Sequence, residues 1–117
     1  MRRVEKPWGH ELIWAETARY IGKLLFIREG ERLSRQYHRV KEETLMVQSG
    51  EMDLEIGPES DRVTRRMKAG DVFHVAPGTI HRMIGVTDVS IIEVSTTELD
   101  DVVRIEDVYG REGTSAP

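Results

Sequence analysis

The chain of 117 residues contains no cysteine. Disulfides and thiolate metal ligands are therefore excluded, any metal must be held by nitrogen and oxygen donors, and the absence fits a cytoplasmic protein. Positive charge is not in excess either. Seventeen Lys and Arg against 21 Asp and Glu give a formal net charge of −4, the wrong sign for sequence-independent binding along nucleic-acid phosphates. No apolar run approaches the length of a membrane span. The first eight residues, Met1-Arg-Arg-Val-Glu-Lys-Pro-Trp8, lack the apolar stretch of a secretory signal. Repeats, low-complexity blocks and domain boundaries are also missing. What remains is a length that suits one domain with one core, and a composition of 38% hydrophobic and 32% charged residues that predicts a well-solvated exterior.

Short alternating segments separated by turn residues fill most of the chain. Residues 23–28 hold the apolar run Leu24-Leu-Phe-Ile27 and end at Glu29-Gly30. Residues 43–49 carry Leu45 and Val47 on one face. Residues 51–57 alternate cleanly, with Met52, Leu54 and Ile56 against Asp53 and Glu55. Further strands are predicted over 62–67, 72–76 and 89–95, with Gly30, Gly50, Gly57, Gly70, Gly78 and Gly85 marking the turns between them. Strands at this spacing predict an all-β sandwich or barrel. One short helical turn is expected near residues 97–103. Residues 1–111 are read as a single domain, and residues 112–117 as a mobile tail.

Four polar residues stand out against this pattern. Gln36 and His38 are two apart on an extended segment, so both face one side. Glu43 opens the next strand, and a hairpin is expected to return it beside them. His81 arrives from a separate strand pair, after the Pro77-Gly78 turn. Two imidazoles, a carboxylate and an amide oxygen compose a shell for one divalent metal ion. Zinc is taken first, with iron, manganese, cobalt and nickel as alternatives that share this donor preference. His10 and His74 lack such support, and His74 is read as a structural or pocket-wall residue.

The two runs that hold these residues resemble the two motifs of the cupin superfamily. The first is Gly30-Glu-Arg-Leu-Ser-Arg-Gln36-Tyr-His38-Arg-Val-Lys-Glu-Glu43, closed by Gly50; the second is Gly70-Asp71 followed by Pro77-Gly78-Thr-Ile-His81. Within cupins the chain is most similar to the carboxy-terminal barrel domain of type II phosphomannose isomerases. That domain is often fused behind a mannose-1-phosphate guanylyltransferase. The likeness is carried by Lys6-Pro-Trp-Gly9, by Arg32-Leu-Ser-Arg-Gln-Tyr-His38 with Gln in place of the first cupin His, and by Val103-Arg-Ile-Glu-Asp-Val-Tyr-Gly-Arg111. Departures are Arg39-Val-Lys41 where the family is rich in His, Ala76-Pro-Gly78 where Pro-Ala-Gly is usual, and Gly85 where Asn is common.

The resemblance implies a small cupin barrel, a double-stranded β-helix or jelly roll, and a homodimer paired through edge strands. It implies aldose–ketose isomerisation of a small sugar phosphate, mannose 6-phosphate with fructose 6-phosphate first, through an enediol. Guanylyltransferase activity is not expected of this chain. Alternatives are a non-catalytic metal- and sugar-binding module and another cupin chemistry such as a dioxygenase. Such isomerisation needs a Lewis acid, proton transfer and cations for the phosphate. Lys41 is the candidate acid/base or oxyanion partner. Arg32, Arg39, Arg82 and Arg104 are the candidate substrate-binding cations, drawn in part from the basic stretch Arg28, Arg32, Arg35, Arg39 and Lys41. Trp8 is expected in the core or at an interface.

Overall fold

Period-two alternation resolves into eleven strands in a computed structural model that describes residues 1–112. In chain order they are β1 (Arg2–Lys6), β2 (Gly9–Glu16), β3 (Ile21–Ile27), β4 (Arg35–Tyr37), β5 (Glu43–Ser49), β6 (Glu51–Ile56), β7 (Val63–Lys68), β8 (Val72–Val75), β9 (His81–Gly85), β10 (Val89–Ser95) and β11 (Val103–Glu106). A six-stranded sheet runs β1-β2-β3-β10-β5-β8, and a five-stranded sheet runs β11-β4-β9-β6-β7. All pairings are antiparallel. The two sheets pack face to face as the all-β jelly-roll barrel that the sequence leads one to expect.

Inward positions of both sheets make the core. Leu25, Ile27, Leu45, Val47 and Ile91 of the six-stranded sheet are buried with Met52, Leu54, Met67 and Met83 of the other. Each such side chain contributes about 1.5–3 kcal/mol by leaving water. Gly50 turns β5 into β6 with φ 82°, and a Cβ there would lie 2.1 Å from the Asp88 carbonyl oxygen. No L side chain fits that position.

Three expectations are corrected. Residues 97–102 form a turn rather than a helix: Leu99 N–H donates to Thr97 O, Asp101 N–H to Glu98 O and Val102 N–H to Asp100 O, so no helical ladder starts. The short helix among the described residues is instead a 3₁₀ turn at Glu59–Asp61. Gly85 ends β9 and is not a turn residue. It is there because the chain passes close by, a Cβ being 2.7 Å from the Arg28 carbonyl oxygen. Finally, β4 and β5 do not form a hairpin, since they belong to opposite sheets. Of the tail expected to be mobile, Glu112 accepts a hydrogen bond from Asp107 N–H at 3.2 Å, and residues 113–117 lie outside the described residues.

Candidate metal centre

The connection from β4 to β5 crosses between the sheets, so the predicted ligands approach from both. Gln36 on β4 pairs in register with His81 on β9, and His38 follows β4 by one residue. Glu43 opens β5 in the facing sheet. His38 Nε2 and His81 Nε2 each lie 3.3 Å from Glu43 Oε1, and the ligand atoms of the three residues fall within 4.8 Å of one another. All three are buried. Gln36 lines the same cavity, with its side-chain oxygen accepting a hydrogen bond from Ser34 Oγ at 2.7 Å.

The imidazoles are oriented for coordination. His38 Nδ1 is 2.5 Å from the Asp101 carbonyl oxygen and His81 Nδ1 is 2.9 Å from that of Thr79. A carbonyl can only accept, so Nδ1 carries the hydrogen in each ring and Nε2 of the neutral ring presents its lone pair to the centre. Both Nε2 atoms are buried without a hydrogen-bond partner among the described residues. Two orphaned imidazole nitrogens and a carboxylate, each backed by a fixed outer contact, form a group that could hold a metal ion.

Lys41 is not a solvated turn residue. Its Nζ lies 3.1 Å from Glu43 Oε2 and 3.3 Å from Glu93 Oε2, with the side chain 7% exposed. Burial pulls its pKa down, but the charges of Glu93 and Glu43 more than offset this, so the ammonium form is favoured. Glu93 is raised to about 7, by burial first and then by the charge of Glu43, against the opposing pull of Lys41 and Lys23. Beyond Glu93, Lys23 Nζ pairs with Glu11 Oε2 at 3.2 Å. The inner face of the six-stranded sheet thus carries Glu11, Lys23, Glu93 and Glu43, and Lys41 reaches in from the β4–β5 connection between the last two, so that the signs alternate. Buried charges require this, since an uncompensated one is strongly destabilising.

These groups line one cavity that is partly open to solvent. Trp8, Leu25, Leu33 and Met83 supply apolar wall, and Lys6, Arg104 and Arg111 supply further cations. Trp8 therefore belongs to the core and to the cavity at once. Arg104 is the predicted arginine that reaches this space; three others fall outside its lining. Arg82 alternates with His81 and Met83 on β9 and so points to the other side, where it donates to the Glu106 carbonyl oxygen at 3.2 Å. Arg39 is exposed on the turn between the sheets. Arg32 sits at an isolated bridge to Ile84. His74 is half-exposed and paired with Glu42 rather than walling the pocket.

Lys6, Glu11, Lys23, Glu93, Arg111 and Asp101 are the site residues that the sequence reading did not assign. A signal existed for three of them. Glu11 shares inward parity with Ile13, Lys23 with Ile21 and Leu25, and Glu93 with Ile91. A charge at an inward position of an apolar strand marks a cavity.

Asp101 supports the loop between His38 and Glu43 from outside. Its carboxylate accepts the backbone N–H groups of Arg39, Val40 and Lys41 at 3.0, 2.6 and 2.8 Å. These donors outweigh the opposing effect of burial and lower its pKa. Asp101→Ala is expected to weaken metal binding by about 10–100-fold, the usual effect of losing an outer-shell support. Asp101→Asn, which keeps an acceptor, is expected to fall between. Competition against a chelator of known affinity measures this, and an unchanged Asp101→Ala affinity would remove Asp101 from the account.

Comparison with known proteins decides the family. Residues 1–107 match the family model described as mannose-6-phosphate isomerase C-terminal. The chain belongs to that family. Similar curated proteins include the xanthan biosynthesis protein XanB of Xanthomonas campestris, 30% identical across 94% of this chain and 24% of the relative. Another is the mannose-1-phosphate guanylyltransferase ManC of Salmonella typhimurium, 32% identical across 94% of this chain and 23% of the relative. The chain thus spans about a quarter of the curated relatives it matches. Solved structures confirm the cupin fold. KdgF from Halomonas superposes with a TM-score of 0.72 at 20% identity, covering 86% of this chain and 92% of that one. A sugar phosphate isomerase of the cupin superfamily from Silicibacter pomeroyi gives 0.64 at 21% identity, covering 74% and 58%. Among the described residues no helix is long and apolar enough to cross a membrane.

Proposed function

We propose that this family member is a metal-dependent sugar-phosphate isomerase that interconverts mannose 6-phosphate and fructose 6-phosphate through an enediol. The observation that carries this reading is one cavity lined by His38 and Glu43 of the ligand group, by Lys41, and by the cations Lys6, Arg104 and Arg111. A divalent ion, zinc first, held by His38, Glu43, His81 and Gln36, would supply a Lewis acid for a carbonyl and its neighbouring hydroxyl. Lys41, kept as an ammonium by its two carboxylates, donates toward the oxygen that gains charge in the enediol. Lys6, Arg104 and Arg111 receive the phosphoryl group; of the four arginines expected from the sequence, this reading keeps Arg104 and leaves out Arg32, Arg39 and Arg82. Trp8, Leu25, Leu33 and Met83 restrict water around the reacting carbons.

The test is direct. Protein loaded with one divalent metal at a time is incubated with mannose 6-phosphate, and fructose 6-phosphate is followed by NMR. Interconversion in both directions is the expected outcome. Absence of turnover across a panel of sugar phosphates, with metal occupancy confirmed, would overturn the reading. Homodimerisation, cytoplasmic location and the absence of nucleic-acid and membrane partners are carried as part of the same proposal. The sheet edges available for pairing are β1, β8, β11 and β7.

A further inference from the structure

The Glu11–Lys23 pair contributes no atom to the candidate ligand group of His38, Glu43 and His81. It is costly to bury, because two ions leave water and repay the loss only where their remaining hydrogen-bonding capacity is used. Both side chains are nearly enclosed, at 11% and 7% exposure, and both line the cavity. They come from adjacent strands: Lys23 is opposite Ile13 and one inward position from Leu25, which is opposite Glu11. Across the sheet Lys23 also stands opposite Glu93, so it lies between Glu11 and the residue that contacts Lys41.

Their hydrogen-bonding inventory is incomplete. An ammonium has three donors and a carboxylate two oxygens with about four acceptor sites. Among the described residues Lys23 Nζ has one hydrogen-bond partner, Glu11 Oε2, at 3.2 Å. Side by side, the pair offers spare N–H donors next to a spare carboxylate oxygen. A hydroxyl group donates once and accepts, and two hydroxyls on neighbouring carbons match an adjacent donor and acceptor. A phosphate does not match, because it would meet the Glu11 carboxylate. A hydrocarbon wall would not require either charge.

We infer that Glu11 and Lys23 form a polyol-reading subsite, which binds a vicinal diol of the substrate's carbon chain between the metal centre and the phosphate-binding cations. This rests on the proposed sugar-phosphate reading and deepens it. Substrate choice then depends on hydroxyl configuration at this pair, since a site built to hydrogen-bond hydroxyls is left with unpaired buried groups when they are missing or inverted.

Binding isolates this role from turnover. Metal-loaded wild type, Glu11→Gln and the double variant Glu11→Leu/Lys23→Met are titrated calorimetrically with mannose 6-phosphate, glycerol 3-phosphate, inorganic phosphate and neutral mannose. The double variant replaces a buried pair by apolar side chains, an exchange that cores often tolerate, so it remains informative where Glu11→Gln fails to fold. The expected result is a loss of about tenfold or more in affinity for mannose 6-phosphate and mannose, with metal affinity unchanged and no loss of inorganic phosphate affinity. Equal losses for hexose phosphate and inorganic phosphate, or no loss for either, would overturn the inference. Wild type that binds mannose but neither hexose phosphate nor inorganic phosphate would sink the sugar-phosphate reading alone, and the polyol subsite would then be judged on mannose. Wild type that binds none of the four would sink both.

Discussion

His81→Ala is expected to lose the metal and, with it, turnover. The ring is 1% exposed and contributes one of two orphaned imidazole nitrogens at the centre of the barrel. Its removal leaves His38 and Glu43 without the donor from β9, and no other described residue can take its place, since the three-residue group is the one cluster of His, Asp and Glu there with ligand spacing. Lewis-acid stabilisation is worth several kcal/mol, so turnover should drop by about 10³-fold or more. Elemental analysis of the purified variant supplies the decisive reading. The exposed His74→Ala serves as control and should keep metal and activity. Full metal occupancy in His81→Ala would show that the proposed shell is wrong.

Removing the Lys41 ammonium should have the second large effect, this time on stability as well as on activity. Lys41→Met leaves Glu43 and Glu93, both buried, without the cation that stands 3.1 and 3.3 Å from them. Breaking such a buried pair costs about 3–5 kcal/mol, which in a domain of this size lowers the melting temperature on the order of 10 °C or more. Turnover should fall by roughly 10²–10³-fold, the range for losing one donor to a developing oxyanion. The double variant Lys41→Met/Glu93→Gln separates the two effects. Neutralising Glu93 removes one of the two charges left uncompensated and should restore part of the melting temperature without restoring turnover. A Lys41→Met protein as stable as wild type would mean that Lys41 does not hold the two carboxylates together. Recovery of turnover in the double variant would confine Lys41 to a structural role.

The cation cluster illustrates how far sequence parity carries. Arg32 shares parity with His38 on paper, yet it lies at a bridge outside the strand that carries the ligands, and the register does not extend to it. Arg82 directly follows His81, and in a strand that adjacency guarantees opposite faces. Lys6 and Arg111 are far apart in sequence and meet at the same cavity as Arg104. No local pattern encodes that meeting.

The sequence by itself determined the class of fold, the strands β3, β5, β6, β7, β8 and β10 in outline, and the His38, Glu43 and His81 group. Those features rest on short-range regularities: period-two burial, glycine at turns, and donor types that suit one kind of ion. Tertiary structure decided the rest. It placed β4 and β5 in opposite sheets, so that Glu43 faces the histidines across the barrel instead of returning beside them in a hairpin. It also turned scattered inward charges on β2, β3 and β10 into one alternating row, and it chose which arginines enter the cavity. The physical reason is that sheet order and register are set by contacts between residues far apart in the chain, and each strand's own alternation says only which side chains share a face, not which strand that face will meet.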